Sequence, residues 1–313
     1  MKVAFLGSVE ESFVEYVQEL GYETEKISKE DIGNNNYSRD FEILCGSMLF
    51  ERMDLREFEN LKYIFLYSQG IDYLPLDYIK EKEIILCNNK GAYAEPIGEF
   101  IVYSLLAMEK YARTNIENQQ NKIWKRRAIT GNLYNKKAVF LGTGDIAQEA
   151  AKRLSGFDLE IIGYNTNGRD VEYFNKCVNL ENLNSELNTA DYVVLVLPST
   201  EKTKYFVNED LIKEFKDGAK FINISRGDVV DEKALIKYLE KGKIASAALD
   251  VFEEEPLSEE SPLWDMENVY ITPHISGTAE DNYERFVRCA RKNLENLKEN
   301  KELINIVDLD RKY

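Results

Sequence analysis

The chain has 313 residues, which is enough to bury the cores of two domains. Hydrophobic residues make up 44% of it and charged residues 31%, and its formal net charge of −16 argues against nucleic acid or an anionic membrane surface as the main partner. The four cysteines form no C-x-x-C pair and the N-terminus lacks a signal peptide's apolar run, so we expect a cytoplasmic protein without a metal site or disulfides.

The first part of the chain alternates short apolar runs with amphipathic stretches. The runs predict strands at residues 2–7, 41–46, 63–68 and 84–89, and the stretches predict helices at residues 11–21 and 54–61. Strands and helices that alternate at this spacing are typical of a parallel sheet covered on both faces.

A longer predicted helix at residues 98–112 and a polar segment separate this region from a second one of the same kind. The second region has six candidate strands, at residues 136–142, 159–164, 192–198, 220–225, 244–252 and 268–273. A final helix at about 278–299 is surplus to the second region, so we expect it to pack on the first. The sequence thus predicts two α/β domains, one made of residues 1–97 and 284–313 and the other of residues 98–283.

The turn that ends the predicted strand 136–142 reads GTGDIA, and a helix follows it. This is the G-x-G-x-x-G/A pattern in the strand–turn–helix context that binds a dinucleotide. Gly142 permits the tight turn, Gly144 lets a pyrophosphate approach the backbone, and the small Ala147 lets helix and strand pack closely. The N–H groups at the helix N-terminus, from Asp145 and Ile146, then face the phosphates. The alternative is a Gly-rich turn in some other α/β protein.

The next predicted strand ends where dinucleotide-binding domains carry an acid for the ribose 2′-hydroxyl. Position 165 is Asn instead, and the first acid after it is Asp170. Asn165 and Thr166 are neutral hydrogen-bonding groups, and Arg169 can pair with a 2′-phosphate through two hydrogen bonds. This stretch therefore favours NADP(H) over NAD(H). The alternative is that Arg169 points into water and that either cofactor is used.

Six segments together resemble the D-isomer-specific 2-hydroxyacid dehydrogenase family. They are SQGID (68–72), GTGDIA (142–147), VLPSTEKT (196–203), INISRGDVVDEKAL (222–235), AALDVFEEEPL (247–257) and ITPHISG (271–277). The resemblance implies a Rossmann dinucleotide domain inserted into a flavodoxin-like substrate domain, both doubly wound, and a homodimer. It also implies an enzyme that transfers a hydride between NAD(P)H and a small 2-oxo acid, which becomes a D-2-hydroxy acid.

The same resemblance implies catalytic roles for three residues. Arg226 matches the arginine that holds the carboxylate and carbonyl oxygens of the 2-oxo acid. His274, the only histidine in the chain, matches the acid/base that delivers the proton. Glu255, which precedes Pro256, matches the carboxylate that orients the imidazole. Glu rather than Gln at this position argues against the formate dehydrogenases, which resemble this family but deliver no proton.

Supporting positions are implied in both domains. Gln69 and Gly70 match the loop whose backbone N–H groups bind the substrate carboxylate, with an ordinary turn as the alternative. Asp250 matches a residue near the nicotinamide amide and ribose, with a buried acid that caps a loop as the alternative. The remaining cofactor positions implied by the resemblance are Pro198, Thr200, Ser225, Ser276 and Gly277.

The motifs leave the substrate open. Glyoxylate, hydroxypyruvate, pyruvate and bulkier branched 2-oxo acids all suit the family, and a short phosphoglycerate dehydrogenase ranks second because the substrate loop shows no basic cluster for a phosphate. A dinucleotide-sensing, corepressor-like binding protein on the same fold is the rival from another class. NADPH consumption with 2-oxo acids, lost in His274→Ala, would distinguish the enzyme from the sensor.

Overall fold

The computed structural model describes residues 1–71, 73–127 and 129–310, so Asp72, the last residue of SQGID, lies outside the described residues. The strands are β1 (Lys2–Leu6), β2 (Glu23–Ile27), β3 (Ile43–Gly46), β4 (Tyr63–Leu66), β5 (Ile85–Cys87), β6 (Lys137–Leu141), β7 (Glu160–Tyr164), β8 (Lys176–Val178), β9 (Tyr192–Leu195), β10 (Ala219–Asn223), β11 (Ile244–Leu249) and β12 (Val269–Ile271). The helices are α1 (Glu11–Glu19), α2 (Lys29–Gly33), α3 (Leu76–Glu81), α4 (Ala94–Glu109), α5 (Ala112–Gln120), α6 (Asp145–Leu154), α7 (Leu180–Leu187), α8 (Glu209–Lys213), α9 (Glu232–Glu240) and α10 (Asn282–Lys298). No helix in these ranges has the length and apolar character needed to span a membrane.

The chain divides into two compact units, Met1–Ala92 with Glu280–Tyr313, and Tyr93–Ala279. The first unit contains a five-stranded sheet of order β2-β1-β3-β4-β5, and the second contains a seven-stranded sheet of order β12-β11-β10-β9-β6-β7-β8. Neighbouring strands within both sheets pair in parallel. The first order is that of flavodoxin-like folds and the second extends the Rossmann order, so the predicted pair of doubly wound α/β domains is confirmed.

Helices cover both faces of the five-stranded sheet. One face carries a buried cluster that includes Ile32 of α2 and Ile79 of α3. The other face packs against Phe13 and Val17 of α1 and against one stripe of α10, which contributes Val287, Ala290 and Leu294. The last long helix of the chain therefore completes the core of the unit with which the chain begins.

The seven-stranded sheet also has two cores. One face packs against α7, α8 and α9, and the other packs against α4 and α6. The α4 and α6 backbones approach closely because Gly98 has no side chain: a Cβ there would lie 3.0 Å from the backbone nitrogen of Ala150. The central strand β9 reads YVVL and is buried throughout, as expected for a strand covered on both faces.

The structure departs from the predicted elements in several places. The predicted helix at 54–61 is only a 3₁₀ turn at Leu55–Glu57, because its buried residues recur every third position rather than at the α-helical spacing. The edge strands β2 (ETEKI) and β8 (KCV) were not predicted, because the first is mostly polar and the second has only three residues. Helix α5 was also not predicted, because none of its residues is buried and it therefore has no apolar stripe.

Candidate active site

Most predicted site residues lie at the carboxyl edge of the seven-stranded sheet, where its strands end. The loops that follow its strands all leave from the carboxyl ends of parallel strands, where ligands bind in doubly wound folds. The order of the strands in the sheet determines which of these loops are neighbours. The loops after β10, β11 and β12, which carry Arg226, Glu255 and His274, are neighbours, and the glycine-rich loop follows β6, on the far side of β9.

The glycine-rich loop has the shape that a phosphate needs. Gly142 has φ of +113°, and a Cβ there would lie 3.0 Å from the carbonyl oxygen of Val196, so no other residue fits without a shift. A Cβ at Gly144 would meet nothing within 4 Å, which leaves the space above the turn open. Gly144 is also the N-cap of α6 and no side chain caps that helix, so the N–H groups of Asp145 and Ile146 lie at an uncapped N-terminus. Ala147 is fully buried against the sheet.

The loop after β7 is organised by Asn165. Its side-chain amide donates to Thr143 Oγ1 at 3.2 Å and to the carbonyl oxygen of Arg169 at 2.9 Å, and its oxygen accepts from the Arg169 N–H at 3.1 Å. Asn165 is buried, whereas Thr166 and Arg169 are exposed. The Arg169 guanidinium has no hydrogen bond or ion pair with any residue that the structure describes. Asn165 therefore shapes the loop, and Thr166 and Arg169 are the groups it presents.

His274 and Glu255 form a direct pair. His274 Nδ1 lies 2.8 Å from Glu255 Oε2, and Glu255 Oε1 accepts from the backbone N–H of Phe252 at 3.1 Å. The two side chains are 48% and 37% exposed, so they remain open to a ligand. His274 has φ of +53°, an uncommon left-handed conformation, and its N–H donates to the Asp250 carbonyl oxygen at 2.9 Å. Because Nδ1 faces the carboxylate, Nε2 is the ring nitrogen left to meet a substrate.

Arg226 lies in the loop next to that of Glu255 in the sheet order. It follows β10, and its guanidinium is half-buried and donates to its neighbour's carbonyl, that of Ser225, at 2.9 Å. It makes no ion pair with a carboxylate in the described ranges. Asn223 stabilises this loop: its side chain donates to the Arg226 carbonyl oxygen at 3.2 Å and accepts from the Ser225 N–H at 3.0 Å. An arginine with no internal carboxylate partner is suited to an anionic ligand.

Asp250 is fully buried and holds the loop of His274. Its carboxylate accepts from the Thr272 hydroxyl at 2.6 Å and from the backbone N–H groups of Ile275 and Ser276, each at 2.9 Å. All three donors belong to the loop after β12. The structure thus shows Asp250 as the acid that fixes this loop, and its predicted role beside the nicotinamide remains a prediction.

The other predicted cofactor positions lie on the same edge. Thr200 and Pro198 are linked through Thr203, whose hydroxyl bonds to Thr200 Oγ1 at 2.9 Å and to the Pro198 carbonyl oxygen at 2.6 Å. The Ser225 hydroxyl donates to Asn223 and is therefore engaged inside the protein. Gly277 follows the buried Ser276, and a Cβ on it would be in ordinary contact with Tyr93.

Gln69 and Gly70 lie in the first unit, in the loop that follows β4. Asn88 donates to the Gln69 carbonyl oxygen at 2.9 Å, and the Ser68 hydroxyl donates to the Gly70 carbonyl oxygen at 3.1 Å. Because the carbonyls are held this way, the loop has a fixed course at the carboxyl edge of the five-stranded sheet.

Three residues at the site were not predicted. Asn223 and Thr272 are the two supports described above, and each is a polar residue at or just after the end of an apolar strand, a signal that the sequence contains. Glu232, the first residue of α9, accepts from the Glu253 N–H at 3.2 Å. Burial raises the pKa of the Glu232 carboxyl, the charges of Glu253 and Glu254 raise it further, and the hydrogen bond only partly offsets them. No cluster of His, Cys, Asp and Glu suited to a metal ion occurs among the described residues.

Comparisons with known proteins identify similar sequences and structures. Residues 102–276 match the family model described as D-isomer specific 2-hydroxyacid dehydrogenase, NAD binding domain. The chain is 34% identical over 279 residues to a glyoxylate reductase of Thermofilum pendens, covering 85% of this chain and 80% of that protein. It is 35% identical over 227 residues to a hydroxypyruvate reductase of Thermotoga maritima, covering 71% and 73%. A crystal structure titled as a D-isomer specific 2-hydroxyacid dehydrogenase from Xanthobacter autotrophicus, in complex with NADPH and MES, matches with a TM-score of 0.82 and 25% identity over 100% of this chain and 99% of that one.

Proposed function

The chain belongs to the D-isomer-specific 2-hydroxyacid dehydrogenase family and is an NAD(P)-dependent oxidoreductase, and we propose that it reduces small 2-oxo acids such as glyoxylate or hydroxypyruvate to D-2-hydroxy acids. The observation that carries this proposal is the pairing of the only histidine with Glu255 at 2.8 Å, on the sheet edge that also carries Arg226 and the glycine-rich loop. A proton donor, a carboxylate partner and a free cation are the groups that reduction of a 2-oxo acid requires.

Each of the three side chains has one task in this proposal. Arg226 binds the substrate carboxylate and polarises the neighbouring carbonyl. His274 gives the proton at Nε2 to the substrate oxygen, which becomes the hydroxyl group. Glu255 holds the ring through Nδ1 and so orients Nε2 for the proton transfer. In the opposite direction, the neutral ring accepts the proton.

The second unit is suited to a dinucleotide. The open space at Gly144 and the uncapped N-terminus of α6 fit a pyrophosphate, and the loop with Thr166 and Arg169 fits the adenosine ribose. We infer that Pro198 and Thr200 line the adenosine side and that Ser276 and Gly277 line the nicotinamide side. When bound, the reduced nicotinamide supplies the hydride.

We further propose that NADPH is the preferred cofactor. The Arg169 guanidinium, which has no partner among the described residues, can hold a 2′-phosphate through two charge-assisted hydrogen bonds, and no acid stands at position 165 to repel it. We assign the substrate carboxylate contact in the first unit to the backbone N–H groups of Gln69 and Gly70. The first unit would thus be the substrate domain and the second the dinucleotide domain.

We also propose that the protein is a homodimer and that it is located in the cytoplasm. The second unit exposes several large aromatic and apolar side chains on α4, on α5 and in the segment after α5: Tyr103 at 58%, Ile116 at 54%, Ile123 at 51%, Trp124 at 101%, Ile129 at 84% and Tyr134 at 59%. Such side chains are expected to be covered in an assembly, and Trp and Tyr are enriched at interfaces. All four cysteines are free, which suits a reducing compartment.

The decisive experiment follows NADPH and NADH oxidation at 340 nm with glyoxylate, hydroxypyruvate, pyruvate and 3-phosphohydroxypyruvate. We expect turnover of the first two, faster with NADPH, and a loss of at least about 100-fold in kcat for His274→Ala. Glu255→Gln should lose activity, whereas Glu254→Gln, a change at the exposed neighbouring acid, is the matched control and should not.

The rival functions give different results in the same experiment. Preference for the phosphorylated substrate would indicate a phosphoglycerate dehydrogenase. Tight NADPH binding by calorimetry, with no turnover of any 2-oxo acid, would indicate a dinucleotide-sensing protein and would overturn the proposed enzyme.

A further inference from the structure

The three consecutive acids 253–255 have different surroundings. Glu255 pairs with His274, and Glu254 is exposed and makes no hydrogen bond or ion pair within the part of the chain that the structure describes. Glu253 is held twice: its backbone N–H donates to Glu232 Oε2 at 3.2 Å, and its carboxylate accepts from the Tyr205 hydroxyl. The residue two positions before Glu255 is therefore fixed in both its backbone and its side chain.

Both residues that hold Glu253 are also connected to the loop of Arg226. The Tyr205 N–H donates to the Asp228 carbonyl oxygen at 2.8 Å, in the 3₁₀ turn that follows Arg226. Glu232 begins α9, whose N-terminus is capped by the side chain of Asp231. The contacts of Tyr205 and Glu232 therefore join the loop after β10 to the loop after β11.

A third contact between these loops depends on a glycine. A Cβ at Gly227 would lie 1.8 Å from the carbonyl oxygen of Phe252 and 2.4 Å from the nitrogen of Glu253. The loops therefore touch backbone to backbone, and Gly227 is required for that approach. The N–H of Phe252 donates to Glu255, so a shift of this backbone reaches the catalytic carboxylate directly.

We propose that Glu232 and Tyr205 are positioning residues that, through Glu253 and Phe252, fix the direction of the Glu255 carboxylate towards His274. This inference rests on the function proposed above. Among the described residues, neither has a hydrogen bond to Arg226, Glu255 or His274, and the motifs that predict the site assign no role to either. Their effect is one of geometry, because an error of about 1 Å in a catalytic group can cost a factor of about 100 in rate.

The carboxylate at position 232 is unfavourable for folding. Burial and two nearby negative charges raise its pKa, so the charged form is destabilised. An amide at this position keeps an oxygen for the Glu253 N–H and removes the charge, whereas alanine removes the acceptor. Glu232→Gln is therefore the conservative variant and Glu232→Ala the disruptive one.

The kinetic test compares Glu232→Ala, Glu232→Gln and Tyr205→Phe, with Glu254→Ala as the matched control and thermal unfolding as the check of folding. For Glu232→Ala and Tyr205→Phe we expect kcat to fall about tenfold, with KM for the 2-oxo acid and affinity for NADPH within about twofold of wild type. Glu232→Gln should restore most of the lost kcat, and Glu254→Ala should not change it.

A second readout does not require activity. Because His274 is the only histidine, the imidazole ¹⁵N signals of uniformly labelled protein belong to it alone, and the Nδ1 signal reports its hydrogen bond to Glu255. We expect Glu232→Ala and Tyr205→Phe to move this signal towards its position in Glu255→Ala, and Glu232→Gln to leave it near wild type. Wild-type kcat and an unmoved Nδ1 signal in both disruptive variants would overturn the positioning roles. If the wild-type protein turns over no 2-oxo acid, the proposed function fails, and the NMR comparison still decides the inference.

Discussion

The buried carboxylate of Asp250 and the backbone N–H of Ser276 are joined by a hydrogen bond of 2.9 Å. With the Thr272 and Ile275 contacts, it ties the loop of His274 to the end of β11 at three points. The histidine that pairs with Glu255 is thus placed by a residue that it does not touch through its side chain.

Replacing that acid should disturb the loop. In Asp250→Asn, one carboxylate oxygen becomes an NH₂ group that faces a donor, so we expect kcat to fall about 100-fold and the unfolding free energy to fall by about 1–3 kcal/mol. Steady-state kinetics and urea unfolding measure the two effects. Thr272→Val removes one of the three donors and should cost less in both. An Asp250→Asn enzyme with wild-type kcat would show that the loop holds its course without the acid.

The choice of cofactor should depend on Arg169. Arg169→Ala removes the proposed partner of the 2′-phosphate, so KM for NADPH should rise about tenfold or more while KM for NADH stays unchanged. Arg153, in the last turn of α6, is a control arginine that is already paired with Glu149, and Arg153→Ala should leave both constants unchanged. Unaltered NADPH affinity in Arg169→Ala would remove the basis for the NADPH preference.

Asp191 should make the protein sensitive to acid. Burial alone would raise the pKa of this carboxyl, but hydrogen bonds from the Lys216 side chain and the Lys137 N–H, with the charges of Lys136 and Lys216, lower it overall. A lowered pKa in the folded state means that the stabilisation is complete above the unfolded pKa of 3.8 and is lost as pH falls below it. Asp191→Ala should therefore cost about 1–2 kcal/mol at pH 7 and much less at pH 3.

Chemical denaturation at pH 7, 5 and 3 measures this difference. Asp217→Ala removes a carboxylate that is 92% exposed and pairs with Lys243, so it should cost less than about 0.5 kcal/mol at every pH. Equal losses of unfolding free energy in Asp191→Ala and Asp217→Ala at pH 7 would contradict the stabilising role of Asp191.

The Glu232 carboxyl should make stability depend on pH in the opposite direction. Because the folded state raises the pKa of this carboxyl, stability falls as pH rises from the unfolded pKa of 4.5 through the higher folded one. We therefore expect Glu232→Gln to unfold at higher denaturant concentration than wild type at pH 8, with the difference disappearing at pH 4. A difference that is the same at both pH values would show that the charge is not its cause.

The parts of the structure that were predicted from sequence are those whose signal is local. The buried strands, the glycine-rich turn and the EP dipeptide at Glu255 each carry their information within a few residues. Helix α5 does not, because its residue Arg113 donates to the carbonyl oxygens of Met266 and Val269 at 2.7 and 2.8 Å, more than 150 residues away in the chain. The polar sequence of such a helix does not indicate which part of the protein it contacts.

Asn165 illustrates a second limit. The sequence shows that position 165 is not an acid, but whether the amide faces a ligand or its own loop depends on Thr143 and Arg169, and the structure shows the amide bonded to both. Glu232 and Tyr205 were not identified for the same reason. Their partner, Glu253, is 21 residues from one and 48 from the other, and it stands among three identical side chains.

The first unit is discontinuous, and this has a consequence for synthesis. The second unit, Tyr93–Ala279, is one uninterrupted stretch, so all of it has been translated before α10 exists. It can complete its sheet and both cores while still attached to the ribosome. The five-stranded sheet and α1, by contrast, keep the surface that Val287, Ala290 and Leu294 cover in the folded protein exposed until α10 emerges. In nascent chains we therefore expect chaperones to bind this N-terminal face, and to be released from it only when translation reaches the C-terminal helix.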